Sequence, residues 1–301
     1  MATPNKSEIE EKARELWHSD RFRGGDPSFE VSPELDELRE EGYLSLAQSY
    51  LMRDRAKSEI EEYEGYNDLA DLDDYPIKEI MREGGFVIGG RGSGKTNLLK
   101  LLAYEALRIG VKVKVVDSAL NWRDFPLPTI KVRRKSTIVV KLNRVYDVSR
   151  LAVLEIRNFV SEMMKRDFEE AVALKDAKLE PIPLLYILEE IQNVIPSNTL
   201  RTLKFLEVSR FVTQGRNFGL SYLASVQRLS TTDTTLVEIS GVKFWLKLEG
   251  ENNLRKARSW LPKFVVWRLR DLEVGSAYLQ IGSKVKLLRL PLFETKKVIA
   301  K

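Results

Sequence analysis

The chain has 301 residues, 43% of them hydrophobic and 31% charged, enough for one large α/β domain with a smaller attachment. With no cysteine and a single histidine, His18, it excludes disulfides, thiolate chemistry and histidine-based metal sites or triads. The net charge of +5 conceals an asymmetry: residues 1–80 carry 10 Lys and Arg against 22 Asp and Glu, a net of −12, which leaves 39 against 22, a net of +17, for residues 81–301.

The acidic segment reads as helical. Ser7-Glu8-Ile9-Glu10 forms a capping box that opens a helix ending near Trp17. Arg23-Gly24-Gly25-Asp26-Pro27 breaks the chain, Ser32-Pro33 restarts a helix with proline at its first position, and a further helical stretch runs from about Ser45 to Tyr63. Gly65-Tyr66-Asn67 and the acidic run up to Tyr75-Pro76 form a boundary, so residues 1–80 are expected as a helical N-terminal segment and residues 81–301 as a second domain. A docking arm on a neighbouring subunit and a partner-binding module are both open for the first. Its polar, acidic start lacks a signal-peptide core, and no stretch of the chain reaches the length of a membrane span, so a cytoplasmic protein is expected.

The apolar run Phe86-Val87-Ile88 is followed by Gly89-Gly90-Arg91-Gly92-Ser93-Gly94-Lys95-Thr96, a complete phosphate-binding loop, and then by a helix to Arg108. A backbone that wraps a polyphosphate closely enough to aim successive N–H groups inward needs glycine. Lys95 is expected to reach the β- and γ-phosphates and the Thr96 hydroxyl to ligate Mg²⁺, with the positive end of the helix beside them. ATP and Mg²⁺ are therefore the expected cofactors.

Strand and helix patterns alternate from there. Lys112–Asp117 alternates with period two, Thr137–Leu142 is β-branched, and Ser149–Lys175 reads as one or two long helices. Leu184–Leu188 is wholly apolar, as expected of a strand buried on both faces, and Leu220–Val226 and Val242–Leu248 supply two more. Ala277–Ile281 and Val285–Leu290, split by Gly282-Ser283, read as a hairpin. The fold class is α/β: a mostly parallel central sheet between helices, with the phosphate loop on its first strand.

The buried strand ends in Glu189-Glu190. A carboxylate at that point stands beside a phosphate loop and suits the metal side, and a second one immediately after it can activate water; Glu189 is expected in the first role and Glu190 as general base. Gln227, just past the strand Leu220–Val226, suits the orienting of water, and Arg216, in Gln214-Gly215-Arg216-Asn217-Phe218-Gly219, suits stabilisation of transition-state charge in its own subunit or the next. Arg210 is the reserve for that second role. The basic body predicts a polyanionic partner, foremost nucleic acid, with Lys131–Lys135 and Arg255–Arg258 as its densest clusters and Trp260 read either as core or as a stacking platform.

Taken together, Gly89–Thr96, Leu184–Glu190, Gln214–Gly219, Ala224-Ser225-Val226-Gln227-Arg228 and Leu272-Glu273-Val274-Gly275 resemble the HerA/FtsK superfamily of DNA-pumping ATPases over roughly residues 84–293. The resemblance implies a RecA-like core, a ring, most simply a hexamer, nucleotide at subunit interfaces and double-stranded DNA through the pore. Members include bipolar translocases, conjugative coupling ATPases and viral genome-packaging ATPases. The chain departs from the family in having Glu189 where Asp is usual. It also lacks the N-terminal β-barrel of cellular HerA and the membrane segments of coupling proteins, which points toward a packaging-type motor. A nucleotide-gated assembly protein and a protein-directed secretion ATPase are the alternatives.

Overall fold

A computed structural model describes residues 75–133, 141–195 and 206–294, together with Ser7 and Glu11, both helical. The remaining expectations for the N-terminal helices, and most of the strand expected at Thr137–Leu142, lie outside the described residues. The chain divides into two compact units, residues 1–65 and 66–301. The second starts before the expected boundary at residue 80, because Tyr75, Ile77 and Ile80 are buried in its core. Ile77 and Ile80 stand one turn apart on α1 (Ile77–Glu83), and this spacing turns both inward.

The elements that follow are β1 (Gly85–Ile88), α2 (Lys95–Arg108), β2 (Lys112–Asp117), β3 (Thr129–Lys131), β4 (Arg144–Asp147), α3 (Val153–Asp176), β5 (Leu184–Leu188) and α4 (Leu206–Gln214). Then come β6 (Leu220–Val226), α5 (Thr234–Ile239), β7 (Val242–Trp245), α6 (Glu251–Ala257), α7 (Lys263–Arg268), β8 (Ser276–Ile281) and β9 (Lys284–Arg289). The strands form one sheet in the order β3-β4-β2-β5-β6-β1-β7-β8-β9. From β3 to β7 every pairing is parallel, and β8 and β9 add an antiparallel hairpin at one edge.

Alternation along the strands divides the core in two. Phe86, Ile88, Tyr186, Leu188, Tyr222 and Ala224 pack toward α3, α4, α6 and α7. Their neighbours Val87, Leu185, Ile187 and Leu223 pack toward α1 and α2 on the other face. Strands β1, β5 and β6 are buried at every position, which is why β1 and β5 are apolar runs and β6 is interrupted only by two serines, Ser221 and Ser225. Helix α3 presents Ile156, Phe159, Val160, Met163, Met164 and Phe168 at helical spacing to the sheet. β3 and β4 were not expected from the sequence: three and four residues are too few to display a period. β7 is shorter than expected, since beyond Trp245 the Leu248 N–H donates to Leu269 O (2.9 Å) rather than to a strand.

A buried polar cluster ties two central strands to α3. Lys114 and Tyr186 are register partners on β2 and β5. Lys114 Nζ donates to both oxygens of Asp167 on α3 at 2.7 and 2.6 Å, and the Tyr186 hydroxyl donates to the same carboxylate. Burial lowers the Lys114 pKa, against the pull of Asp167, and raises that of Tyr186 well above its ordinary value. Removing one charge strands the other in a low dielectric. Asp167→Ala should therefore cost about 3–5 kcal/mol in urea unfolding followed by tryptophan fluorescence, whereas Lys114→Met/Asp167→Leu/Tyr186→Phe, which removes all three polar groups, should recover most of that loss.

Candidate active site

Because β1, β2, β5, β6 and β7 run parallel, their carboxyl ends meet at one edge of the sheet, where open α/β folds bind ligands. β1 ends there in the phosphate loop, which turns into α2 at Gly94. The loop cannot carry side chains freely. A Cβ on Gly89 would lie 2.5 Å from Ser93 Oγ and 2.9 Å from Leu246 Cβ, and Gly94 has φ +97°, a conformation that favours glycine. Two neighbouring strand ends anchor it: Gly89 N–H donates to Val226 O (3.2 Å) and Gly90 N–H to Lys247 O (2.7 Å). Lys95 Nζ folds back to donate to Gly90 O (2.8 Å), and Ser93 Oγ donates to the same carbonyl (2.9 Å). Arg91 and Gly92 are exposed at the loop's tip.

Glu189, one residue past β5, reaches across β6 to this loop. Its Oε1 accepts from Thr96 Oγ1 at 2.6 Å and its Oε2 from Asn121 Nδ2 at 3.3 Å. The residue is only 4% exposed. Burial raises its pKa, the nearby Asp117 and Glu190 charges add to the rise, and the hydrogen bonds from Thr96 and Asn121 oppose it. Lys95 answers from the other side: burial lowers its pKa, while Glu190 and Glu189 act to raise it. The edge therefore holds an ammonium group on the loop with buried carboxylates behind it.

Glu190 is set by its backbone. With φ 53° and ψ 62° it is left-handed, which costs a non-glycine residue about 1–2 kcal/mol. Its N–H donates to Ser225 Oγ (3.2 Å), near the end of β6, and its Oε2 accepts from Gln192 Nε2 (2.5 Å). Gln227 is half-buried and comes directly after Val226, the register partner of Ile88, so its backbone lies level with Gly89. The structure thus brings together Gly89–Thr96, Glu189, Glu190 and Gln227.

Arg216 does not join them. It lies before β6, and that strand is about 20 Å long at ~3.3 Å per residue, so Arg216 sits at the opposite edge of the sheet beside Arg82 and Glu83. The role expected of it within its own subunit is thereby corrected: parallel pairing puts the start of β6 and the end of β1 on opposite sides. Arg210 is no substitute, since its guanidinium lies 4.8 Å over the ring of Phe168. Trp260 is half-buried and packs against the core on Trp245, with ring centroids 6.2 Å apart.

Sequence reasoning missed four positions. Asp117 ends β2 and accepts the N–H groups of Ala119, Asn121 and Trp122 at 3.0–3.2 Å, shaping the turn that delivers Asn121 to Glu189. Ser225 and Gln192 fix Glu190. A carboxylate ending the strand next to β5 was a usable signal for Asp117; the others become visible only when the strands are ordered.

Among the described residues no group of three or more histidine or acidic side chains could enclose a metal. The Thr96 hydroxyl and the Glu189 carboxylate, 2.6 Å apart, instead fit a hard cation that takes one or two protein oxygens and completes its shell with phosphate and water.

No family model matches the chain, and no curated protein does. Solved structures do. The genome packaging NTPase B204 from Sulfolobus turreted icosahedral virus 2 in complex with sulfate superposes with a TM-score of 0.55 at 14% identity, covering 70% of this chain and 97% of that one. Its complex with AMPPCP gives 0.54 at 14% identity, covering 70% and 98%. The bacterial conjugative coupling protein TrwBdeltaN70 gives 0.50 at 11% identity, covering 76% and 89%. At these identities the likeness is one of fold alone, a RecA-like one: a mostly parallel sheet between helices with the phosphate loop after β1.

Proposed function

We propose that the chain is an ATPase that moves double-stranded DNA, of the genome-packaging type, working as a ring, most simply a hexamer, with nucleotide at its subunit interfaces. The observation that carries this reading is the buried Glu189 hydrogen-bonded to Thr96 of a complete phosphate loop, with a backbone-strained Glu190 directly after it. In B204, solved with ATP-γS and with AMP, the same fold binds nucleotide, which supports ATP as the ligand here. The phosphates would lie along the N–H groups of residues 89–96, with Lys95 turning from Gly90 O to the β- and γ-oxygens. Thr96 and Glu189 would hold Mg²⁺, which when bound neutralises charge on the phosphate oxygens. Glu190 accepts the proton of the attacking water as its oxygen bonds the γ-phosphorus and the bond to the bridging oxygen breaks, releasing ADP. Gln227 orients that water.

Arg216 acts on the next subunit's nucleotide in this reading, since its own lies a strand length away. The DNA contact is assigned to the groove of about 480 Å³ at the carboxyl ends of β3 and β4, where Lys131, Arg133 and Arg150 outnumber Asp147 and Glu155. Cations of the Arg255–Arg270 region have internal partners. Arg258 and Arg270 pair with Glu251 at 3.3 and 2.6 Å, and Lys256 Nζ donates to Leu229 O at 3.1 Å. No helix among the described residues is long and apolar enough to cross a membrane.

Three outcomes test the reading. Lys95→Ala should lose ATP-γS binding in calorimetry, while Glu190→Gln should bind ATP normally and hydrolyse it at least about a hundredfold more slowly. Binding without turnover in the wild-type protein would favour the nucleotide-gated assembly alternative, and turnover stimulated by protein rather than DNA the secretion one.

Mixing Arg216→Ala with Glu190→Gln subunits should restore part of the activity that each lacks alone, because a mixed interface can join an intact Arg216 to an intact Glu190. Mixed rings that stay inactive at every ratio would place the charge-stabilising arginine elsewhere.

Lys131→Glu/Arg150→Glu should weaken duplex binding irrespective of sequence and flatten the slope of log affinity against log salt by about 2, with DNA-free hydrolysis unchanged. An unchanged slope would remove the groove from the DNA path.

A further inference from the structure

Glu190 is held at both ends, and the partner of its carboxylate has an unusual environment. Gln192 Nε2 lies 2.5 Å from Glu190 Oε2. A carboxylate only accepts, so the amide must present its NH₂ group to it, which fixes which end of Gln192 is oxygen. That oxygen, Oε1, is buried without a hydrogen-bond partner, one of three such side-chain atoms among the described residues. Among the described residues the amide's one hydrogen bond is therefore the one it donates to Glu190.

The turn that carries Gln192 is itself fixed. Asn193 N–H donates to Glu190 O (2.8 Å), Arg157 Nε from α3 donates to Asn193 O (3.0 Å), and Ile191 is fully buried. The left-handed backbone of Glu190 sets the direction in which this turn leaves β5. The strained residue, the turn and the amide therefore form one rigid unit, and what it positions is a carboxylate oxygen.

We propose that Gln192 is a positioning residue for ATP hydrolysis: its Nε2 holds Glu190 Oε2 so that the other carboxylate oxygen faces the attacking water. The proposal rests on the ATPase reading above. Fixing one carboxylate oxygen fixes the direction of the other, and with it the place of the water that donates to it, which is what an in-line attack requires. Because the amide holds the anion and contacts no part of the nucleotide, its loss changes turnover and not binding.

The test uses the full-length protein with ATP and Mg²⁺. Gln192→Met keeps the length and bulk of the side chain and removes both polar atoms; it should lower kcat on the order of tenfold or more and leave KM and ATP-γS affinity within about twofold. Gln192→Glu, which sets one carboxylate against another, should lower kcat as well and serves if the methionine variant folds poorly. In single-turnover measurements on Glu190→Gln, adding Gln192→Met should have almost no further effect, since no carboxylate remains to be held. A packing role would show the same loss in both backgrounds. Wild-type kcat in both Gln192 variants, or an equal loss with and without Glu190, overturns the proposal. If Glu190→Gln is inactive while the Gln192 variants are normal, only the positioning role falls. If the wild-type protein does not turn over ATP, or Glu190→Gln hydrolyses it at the wild-type rate, the ATPase reading falls and Gln192 with it.

Discussion

The contact between Thr96 and Glu189 joins two parts of the chain that are 93 residues apart, and the candidate site is built around it. Thr96 belongs to the helix that follows the phosphate loop, Glu189 to the tip of a strand separated from the loop's own strand by β6. A carboxylate that is 4% exposed, with Asp117 and Glu190 nearby, is held in an unfavourable place. Its hydrogen-bond donors, the Thr96 hydroxyl and the Asn121 amide, are neutral, while the Lys95 ammonium nearby donates to Gly90 O instead. A divalent cation arriving with a triphosphate would compensate the carboxylate far better, so the apparent liability is consistent with a site built for a charged ligand.

That arrangement depends on strand ends being level with one another to within a fraction of a residue. Lys114, Asp167 and Tyr186 contribute to this by binding β2 and β5 to α3 midway along their length, so that Asp117 and Glu189 emerge side by side. On the loop side, Val226 O and Lys247 O take the N–H groups of Gly89 and Gly90. The sheet thus holds the loop from β6 and β7 and the carboxylates from β2 and β5, and the groups of the site stand at or just beyond the ends of its strands.

What the sequence made legible was whatever is local. The phosphate loop is eight consecutive residues whose glycines answer to backbone conformations, and β5 is an apolar run because both its faces are buried; each could be read without knowing a neighbour. Glu189 and Glu190 followed from their place after such a run. Asn121, Ser225 and Gln192 could not be read this way, because their meaning comes from strands β2, β5 and β6 lying side by side, and an Asn, Ser or Gln alone suits many surfaces. Arg216 shows the same limit from the other direction. Its sequence neighbourhood was informative, but only the parallel order of β6 and β1 reveals which edge of the sheet it occupies. Trp260, adjacent to a basic cluster in sequence, turned out to be packed on Trp245, since one face of α6 and α7 covers the sheet.

The central claim is that Glu189 is placed to exchange its Thr96 partner for a cation that arrives with the nucleotide. Calorimetric titration of ATP-γS into wild-type and Glu189→Ala protein, each in Mg²⁺ and in EDTA, tests it most directly. The account predicts that Mg²⁺ strengthens binding to the wild-type protein and that this difference largely disappears in Glu189→Ala. An equal Mg²⁺ dependence in the two proteins would contradict it.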